Sequence, residues 1–409
     1  EYTTGFVANN DYWIVKTDNL GVIQWQNTIG GNEFDYLYAI TQISSGEYVL
    51  AGNSSSNISG EKSETSRGSA DYWMIKINSS GDLIWNKTIG GDKWDQLFSM
   101  QETTDKGFIL AGYSSSNIAG EKTENGKGKV DYWIVKTDAA GNLVWDKTIG
   151  GSANDNCKSV VITTYGDVFC GGYTLSSISG DKTSPSIGTQ VAFDFWLVAL
   201  SGTGQLLFDR TLGSIQNDNC NYMVATDNGG ALMVGYSDGP AGFSKTQNSR
   251  GLNDFWVVSV DSLGKRIWDR TLGGTYEDYG YCALKTNDAF YIGGDSYSGI
   301  GADKTASNKG LDDMWCVKLS FSGNIIWDQS FGSYDSDEMN RISENSDGNI
   351  LFSGESYSWA GFDKSENNVG IEQLWMILTD TSGNKIFDKT FFTYGHDEEG
   401  MAMESSPGN

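Results

Sequence analysis

Seven aspartates recur at one fixed interval from a tryptophan. Asp35, Asp95, Asp155, Asp218, Asp278, Asp337 and Asp397 each lie twenty-two residues after Trp13, Trp73, Trp133, Trp196, Trp256, Trp315 and Trp375. Carboxylates gathered at one mouth would hold a hard cation such as calcium. A copy in every unit points instead to a task each unit performs for itself: accepting backbone N–H groups in the tight loop that follows Thr-Ile-Gly-Gly. Six loop lysines recur in the same way, Lys62, Lys122, Lys182, Lys245, Lys304 and Lys364. Solvated loop charges, or pairs with neighbouring carboxylates, are the expectation for them.

Chemistry that differs between copies flanks the aspartates. Just before them stand Phe34, Trp94, Asn154, Asn217, Glu277, Ser336 and His396, and just after them Tyr36, Gln96, Asn156, Asn219, Tyr279, Glu338 and Glu398. A sugar ring stacks its C–H face on aromatics and needs partners for its hydroxyls, which amides and carboxylates supply. Phe34, Tyr36, Trp94, Asn154, Asn156, Asn217, Asn219, Glu277, Tyr279, Glu338, His396 and Glu398 are therefore the candidate ligand-binding set. Glycoside hydrolysis would need two carboxylates about 5–10 Å apart, for which Glu277, Glu338 and Glu398 are the candidates. A lyase would need a base beside a charge neutraliser, and His396 with Tyr279 is the one pair available. No Gly-x-Ser-x-Gly elbow, phosphate loop or Cys/His metal spacing is present. No catalytic residue is assigned, and no cofactor is expected beyond an open place for calcium.

The elements that must position these residues follow from the period. The tryptophans are spaced by 60, 60, 63, 60, 59 and 60 residues, and twelve residues after each comes a second aromatic: Trp25, Trp85, Trp145, Phe208, Trp268, Trp327 and Phe387. Within a unit, residues 72–77 are β-branched, aromatic and nearly apolar on both faces, as an interior strand between two sheets must be. A glycine-bearing turn of hairpin chemistry follows (Gly81, Gly141, Gly204 and their equivalents). The next strand carries the second aromatic. Residues 96–102 and 108–113 supply two more strands, and 114–130 a long polar loop before the next tryptophan. A sheet of four short strands cannot bury both faces alone, whereas repeated copies packed radially can. The prediction is an all-β, seven-bladed β-propeller over residues 1–409, with four antiparallel strands per blade. The last blade is expected to close with both ends of the chain: residues 11–30 as its outer strands and 397–404 as its innermost. The remaining strand comes from residues 2–7 or lies upstream of this chain.

The glycine that ends one strand with a tryptophan soon after resembles Kelch-type repeats. The turn Asp138-Ala139-Ala140-Gly141-Asn142-Leu143-Val144-Trp145 resembles the tryptophan-docking element of pyrroloquinoline-quinone-like propellers. Taken whole, Asp-Tyr-Trp-Ile-Val-Lys-Thr-Asp, Thr-Ile-Gly-Gly and the loop Gly-Glu-Lys resemble tandem repeats common in secreted and surface proteins of Bacteroidetes-type bacteria. The resemblance covers nearly the whole chain. It implies the propeller fold and an extracellular or cell-surface bacterial location. It implies little about activity, because propellers host unrelated functions, and the quinone likeness stops at the turn.

Composition narrows the partners. Among 409 residues, 53 are acidic and 28 basic, a net charge of −25, which repels nucleic acid and anionic membrane surfaces. No apolar stretch is long enough for a membrane helix. The start, Glu1-Tyr2-Thr3-Thr4, is no signal peptide, so a secreted form would already have lost its leader. Five cysteines do not make a disulfide framework. Cys157, Cys170, Cys220 and Cys316 occupy core positions of the repeat and read as buried thiols, and Cys282 is left open. Together these features point to a monomeric, non-catalytic binding or adhesion module that takes a glycan or a protein on its loop-rich face. The alternatives are a protein-interaction scaffold, or a carbohydrate-active enzyme or its accessory propeller.

Overall fold

The computed structural model describes residues 10–188 and 192–392. They divide into two compact units, 1–149 and 150–409. In the first unit, β1 (Tyr12–Thr17) and β2 (Ile23–Ile29) form a two-stranded sheet. Blade one follows, with β3 (Asp35–Gln42), β4 (Tyr48–Ser54), β5 (Asp71–Ile77) and β6 (Leu83–Ile89). Blade two runs from β7 (Asp95–Glu102) through β8 (Phe108–Ser114) and β9 (Asp131–Thr137) to β10 (Leu143–Ile149). The second unit carries four more blades: β11 (Asp155–Ile162) to β14 (Leu206–Leu212), β15 (Asp218–Ala225) to β18 (Arg266–Leu272), β19 (Asp278–Lys285) to β22 (Ile325–Phe331), and β23 (Asp337–Glu344) to β26 (Lys385–Phe391). Every blade is an antiparallel meander in sequence order. The fold is an all-β propeller with four antiparallel strands per blade.

The expected count of seven blades is corrected. The described residues hold six four-stranded blades and one two-stranded sheet. The strands at 12–29 are where the outer pair of a seventh blade was expected, and the sixth blade ends at Phe391 as anticipated. The segments needed to complete and close a seventh blade, 2–7 and 397–404, lie outside the described residues.

The third strand of each blade is apolar on both faces because it is covered on both. All seven residues of β9 are buried, as are six of the seven in β5. Within each unit, aromatics that precede a repeat tryptophan pack on the tryptophan of the following blade: Tyr72 on Trp133 with ring centroids 4.7 Å apart, Phe195 on Trp256 at 4.6 Å, Phe255 on Trp315 at 4.8 Å. The second aromatic fastens neighbouring blades at their rims. Trp268 donates from Nε1 to the Phe321 carbonyl at 3.1 Å, in the hairpin turn of the next blade, and Trp327 does the same to Thr381 at 3.2 Å. The turn glycine is required twice over. Gly323 has φ +81°, and a Cβ there would lie 2.8 Å from the Trp268 ring. All five cysteines, Cys282 included, are buried free thiols.

Register sets which end of a blade carries function. Asp35 pairs with Ser54, Ser54 with Asp71, and Tyr72 with Ile89. The long loop and the Gly-Gly connection to the next blade therefore leave from one end of the sheet, and the short hairpins from the other. No helix among the described residues is long and apolar enough to cross a membrane.

Candidate functional site

The repeated charges gather at the loop-bearing end, and the structure uses them internally. Six of the seven predicted aspartates are described, all buried. Asp35 accepts the Gly31 N–H at 2.7 Å, Asp95 that of Gly91 at 2.6 Å, Asp155 that of Gly151 at 2.6 Å, Asp218 that of Ser214 at 2.6 Å, Asp278 that of Gly274 at 2.7 Å and Asp337 that of Ser333 at 2.7 Å. Serine hydroxyls add a second bond, such as Ser116 Oγ to Asp95 at 3.1 Å and Ser358 Oγ to Asp337 at 2.8 Å. The backbone-accepting role is the one the structure displays. Asp397 lies outside the described residues. Among the described residues no group of three or more His, Cys, Asp or Glu is placed to hold a metal ion.

The loop lysines are not solvated, which corrects the expectation. Lys62, Lys122, Lys182, Lys245, Lys304 and Lys364 retain only 1–2% of their exposure. Five place their ammonium over the repeat tryptophan of their own blade: Lys62 5.2 Å from the Trp73 ring centroid, Lys122 5.1 Å from Trp133, Lys182 5.7 Å from Trp196, Lys304 4.9 Å from Trp315 and Lys364 5.0 Å from Trp375. Most also donate to a hydroxyl on the fourth strand, as Lys304 Nζ does to Ser330 Oγ at 2.6 Å. Burial pulls Lys62, Lys122, Lys245, Lys304 and Lys364 down to about 8, against the pull of nearby aspartates. Desolvation here outweighs attraction.

Two further polar rows escaped the sequence reading. The residue two before each repeat tryptophan caps the long loop: Asp71 accepts the Arg67 N–H at 2.6 Å, Asp131 that of Lys127 at 2.7 Å, Asp313 that of Lys309 at 2.8 Å, and Gln373 serves Val369 at 2.9 Å. Burial raises Asp71 to about 6 and Asp194 and Asp254 to about 7, and a neighbouring aspartate of the first row adds to it. The residue thirteen after the tryptophan receives the indole N–H, as in Trp133 to Asp146 at 3.0 Å and Trp375 to Asp388 at 3.1 Å. Both rows were visible as recurring Asp, Asn or Gln at fixed offsets.

The variable positions fall into separate groups. In the first unit Phe34 stacks on Tyr36, with ring centroids 6.1 Å apart and planes within 4°. Trp94 is exposed and donates to Gln96 Oε1 at 3.1 Å, while Gln96 also receives Tyr113 Oη at 2.6 Å and donates to Tyr38 Oη at 3.2 Å. In the second unit Asn219 donates to Tyr236 Oη at 3.0 Å, the Tyr236 ring meets Tyr279 edge-on at 4.9 Å, and Asn253 donates to Tyr279 Oη at 3.2 Å. Asn217 is engaged within its loop, accepting the Phe193 N–H at 3.3 Å and donating its own to Asp238 at 2.8 Å. Asn156 is buried on β11 opposite Tyr173. Asn154 receives the Leu175 N–H on its carbonyl at 2.9 Å, and Glu277 that of Tyr297 at 2.9 Å. Glu338 lies in an acidic neighbourhood with Asp295, Asp312 and Glu355; fully buried Asp295 is held far above the carboxylate range, by burial first and then by these charges. His396 and Glu398 lie outside the described residues, so the His396 with Tyr279 pairing does too.

Fold and site together define a tandem-repeat β-propeller whose repeated polar residues brace each blade and whose variation lies at the loop-bearing end. No protein-family model matches the chain. It is similar to the regulatory protein FlaEY of Caulobacter vibrioides, with 22% identity over 272 residues, covering 60% of this chain and 28% of that protein. The chain thus spans less than a third of that relative's length. Among solved structures it is similar to a protein of unknown function from Dyadobacter fermentans (9% identity, TM-score 0.44, covering 87% of this chain and 94% of that one) and to the hydrazine synthase of Kuenenia stuttgartiensis (10% identity, TM-score 0.44, 77% and 73%). The propeller assignment rests on the chain's own sheet order.

Proposed function

We propose that this chain is a non-catalytic binding module, secreted or held at a bacterial cell surface, that takes carbohydrate on its loop-bearing end. One observation carries the reading. The aspartates that repeat in every blade are buried and accept backbone N–H groups of their own loop, whereas the positions beside them change from aromatic to amide to carboxylate from one blade to the next. A scaffold role is uniform and a recognition role is not. Exposed aromatics such as Phe34 and Trp94 supply stacking faces, and the amides and carboxylates at the same positions of other blades suit hydroxyl groups. The repeat pattern's likeness to surface proteins of Bacteroidetes-type bacteria supports the location, and the acidic charge disfavours anionic partners.

A protein-interaction scaffold is the second reading. Ile58, Ile118, Ile178 and Ile300 stand exposed in corresponding loops, and repeated apolar tips favour a protein partner. A glycan array probed with the purified chain, with and without calcium and followed by product analysis, separates the readings. Retention without turnover is expected. Turnover would overturn the non-catalytic assignment and bring Glu277 and Glu338 forward, and silence across the array would overturn the carbohydrate assignment in favour of the scaffold.

A further inference from the structure

In blade six the long loop ends in a turn pinned on several sides. Gly361 N–H donates to the Lys364 carbonyl at 2.9 Å, Lys364 N–H to that of Gly361 at 2.8 Å, and Asp363 N–H to that of Gly332 at 3.2 Å. Below it, Lys364 Nζ donates to Thr390 Oγ1 at 2.8 Å and lies 5.0 Å from the Trp375 ring. The corner of this turn is left-handed in every blade. Blades one to three place Gly60, Gly120 and Gly180 there, with φ of +52°, +55° and +57°, and blades four to six place Phe243, Ala302 and Phe362, with φ of +53°, +51° and +46°. A Cβ is disfavoured at such a corner, and the pinned turn holds it there regardless, as Ala302 demonstrates. Strain alone therefore marks no site.

Blade six is set apart by what it displays. Phe362 is 64% exposed, Tyr334 63% and Trp359 64%. The Tyr334 and Phe362 rings lie 5.0 Å apart, tilted by 56°. Ser333 Oγ donates to the Trp359 carbonyl at 2.8 Å and Asp335 N–H to Ser358 Oγ at 2.9 Å, so the two segments that carry the aromatics are tied together. Three large aromatic side chains on a braced backbone leave most of their surface in water, which serves no packing purpose and marks a recognition surface. Charge selects the occupant. Asp335, next to Tyr334 in the chain, is exposed, and Lys309 is paired with the Asp363 carboxylate at 2.7 Å. With the chain at −25, an anionic sugar is repelled, while an uncharged one can stack its C–H face and donate its hydroxyls to carboxylates.

We infer that Phe362, Tyr334 and Trp359 form a platform on blade six for an uncharged pyranose. The inference rests on the carbohydrate reading above and moves its strongest contact away from the positions that flank the aspartates. The test is affinity electrophoresis of the full chain in gels containing a soluble β-glucan, a mannan or a galactan, beside a polyuronate and poly-lysine as charged probes. Phe362→Gly installs the residue found at this corner in three other blades, so its melting midpoint is expected to stay level or rise. Its retardation in the neutral gel that slows the parent is expected to weaken about tenfold or more, as for loss of a central aromatic contact, and Tyr334→Ala gives the same loss. If the parent is slowed and both variants are slowed equally, the platform is overturned and the carbohydrate reading stands. If no polysaccharide slows the parent, both fall. Preference for the polyuronate, or Phe362-dependent retention by poly-lysine alone, overturns the uncharged-pyranose assignment.

Discussion

Replacing Lys304 by methionine keeps the aliphatic stem and deletes the charge. The ammonium lies 4.9 Å from the Trp315 ring centroid, donates to Ser330 Oγ at 2.6 Å, and is attracted by the buried carboxylates of Asp278 and Asp313. A desolvated cation over an indole contributes about 2 kcal/mol, and breaking a buried charge pair typically costs about 3–5 kcal/mol. Asp278 and Asp313 are already raised by burial, so they take up protons readily once the lysine is gone. Removing the charge also recovers the desolvation cost that holds Lys304 at about 8. Both offsets place the cost at the low end, about 3 kcal/mol or less. For a cooperative unit of roughly this size each kcal/mol moves the midpoint by about 2–4 °C. Differential scanning calorimetry at neutral pH should therefore show a loss of up to about 6–12 °C for Lys304→Met. The exposed hairpin residue Lys265 provides the control, since its substitution stays within about 0.5 kcal/mol. If Lys304→Met shifts no further than Lys265→Met, the buried-lysine account is wrong and the residue is the solvated loop charge expected from sequence.

Three further outcomes follow from the same structure. Burial holds Asp194, Asp254 and Asp337 up to about 7 and Asp71 and Asp218 up to about 6; these folded-state values exceed the unfolded one, so the stability they contribute is complete near pH 4 and is lost as pH rises through 6 to 7. The melting midpoint should be higher at about pH 5 than at about pH 7.5, and a midpoint that climbs across that interval contradicts the burial of these carboxyls. Gly323→Ala should cost at least about 2 kcal/mol because a left-handed alanine there also meets Trp268, whereas Gly166→Ala, with φ +84° and nothing within 4 Å, should cost about 1 kcal/mol; equal losses by urea denaturation would remove the Trp268 contact from the explanation. Titration with a chromogenic disulfide should detect no thiol in the native chain and all five after denaturation, and reaction of any native cysteine would place it outside the core.

How much of this was legible before the structure depended on how far apart the interacting residues lie. Blades could be read from the tryptophan spacing because each strand's periodicity is local, and the strand from Phe108 to Ser114 falls within one residue of the expected 108–113. The aspartates could be read because their donors lie four residues upstream, as Gly91 does for Asp95. Lys62 could not: its loop is polar, and its burial depends on Trp73 and on Thr88, a hydroxyl on a later strand. The aspartate row at Asp71 stood one residue before the strand read at 72–77 and was noted only as part of the repeat motif. Asn156 looked like its counterparts and shares their register, opposite Tyr173 as Gln96 is opposite Tyr113 and Asn219 opposite Tyr236, yet it is buried where they are half-buried, a difference set by packing that local pattern does not show. Phe362 was missed for the opposite reason, since it occupies a corner that the first repeats had taught one to read as glycine. The expectation of a seventh blade extrapolated the repeat to segments 2–7 and 397–404, which lie outside the described residues, whereas the strands found at 12–29 form a sheet of two.

The central claim is that recognition belongs to the loop-bearing end of the blades and that the hairpin end is scaffold. Hydrogen–deuterium exchange on the full chain, with and without a saturating oligosaccharide chosen from the array, tests it most directly. The account predicts added protection in peptides from the Gly-Gly connections and long loops, with residues 333–336 and 358–364 foremost, and none in the hairpins at 43–47, 78–82 or 320–324. Protection centred on those hairpins, or retention of the sugar with no protection at the loop-bearing end, would contradict it.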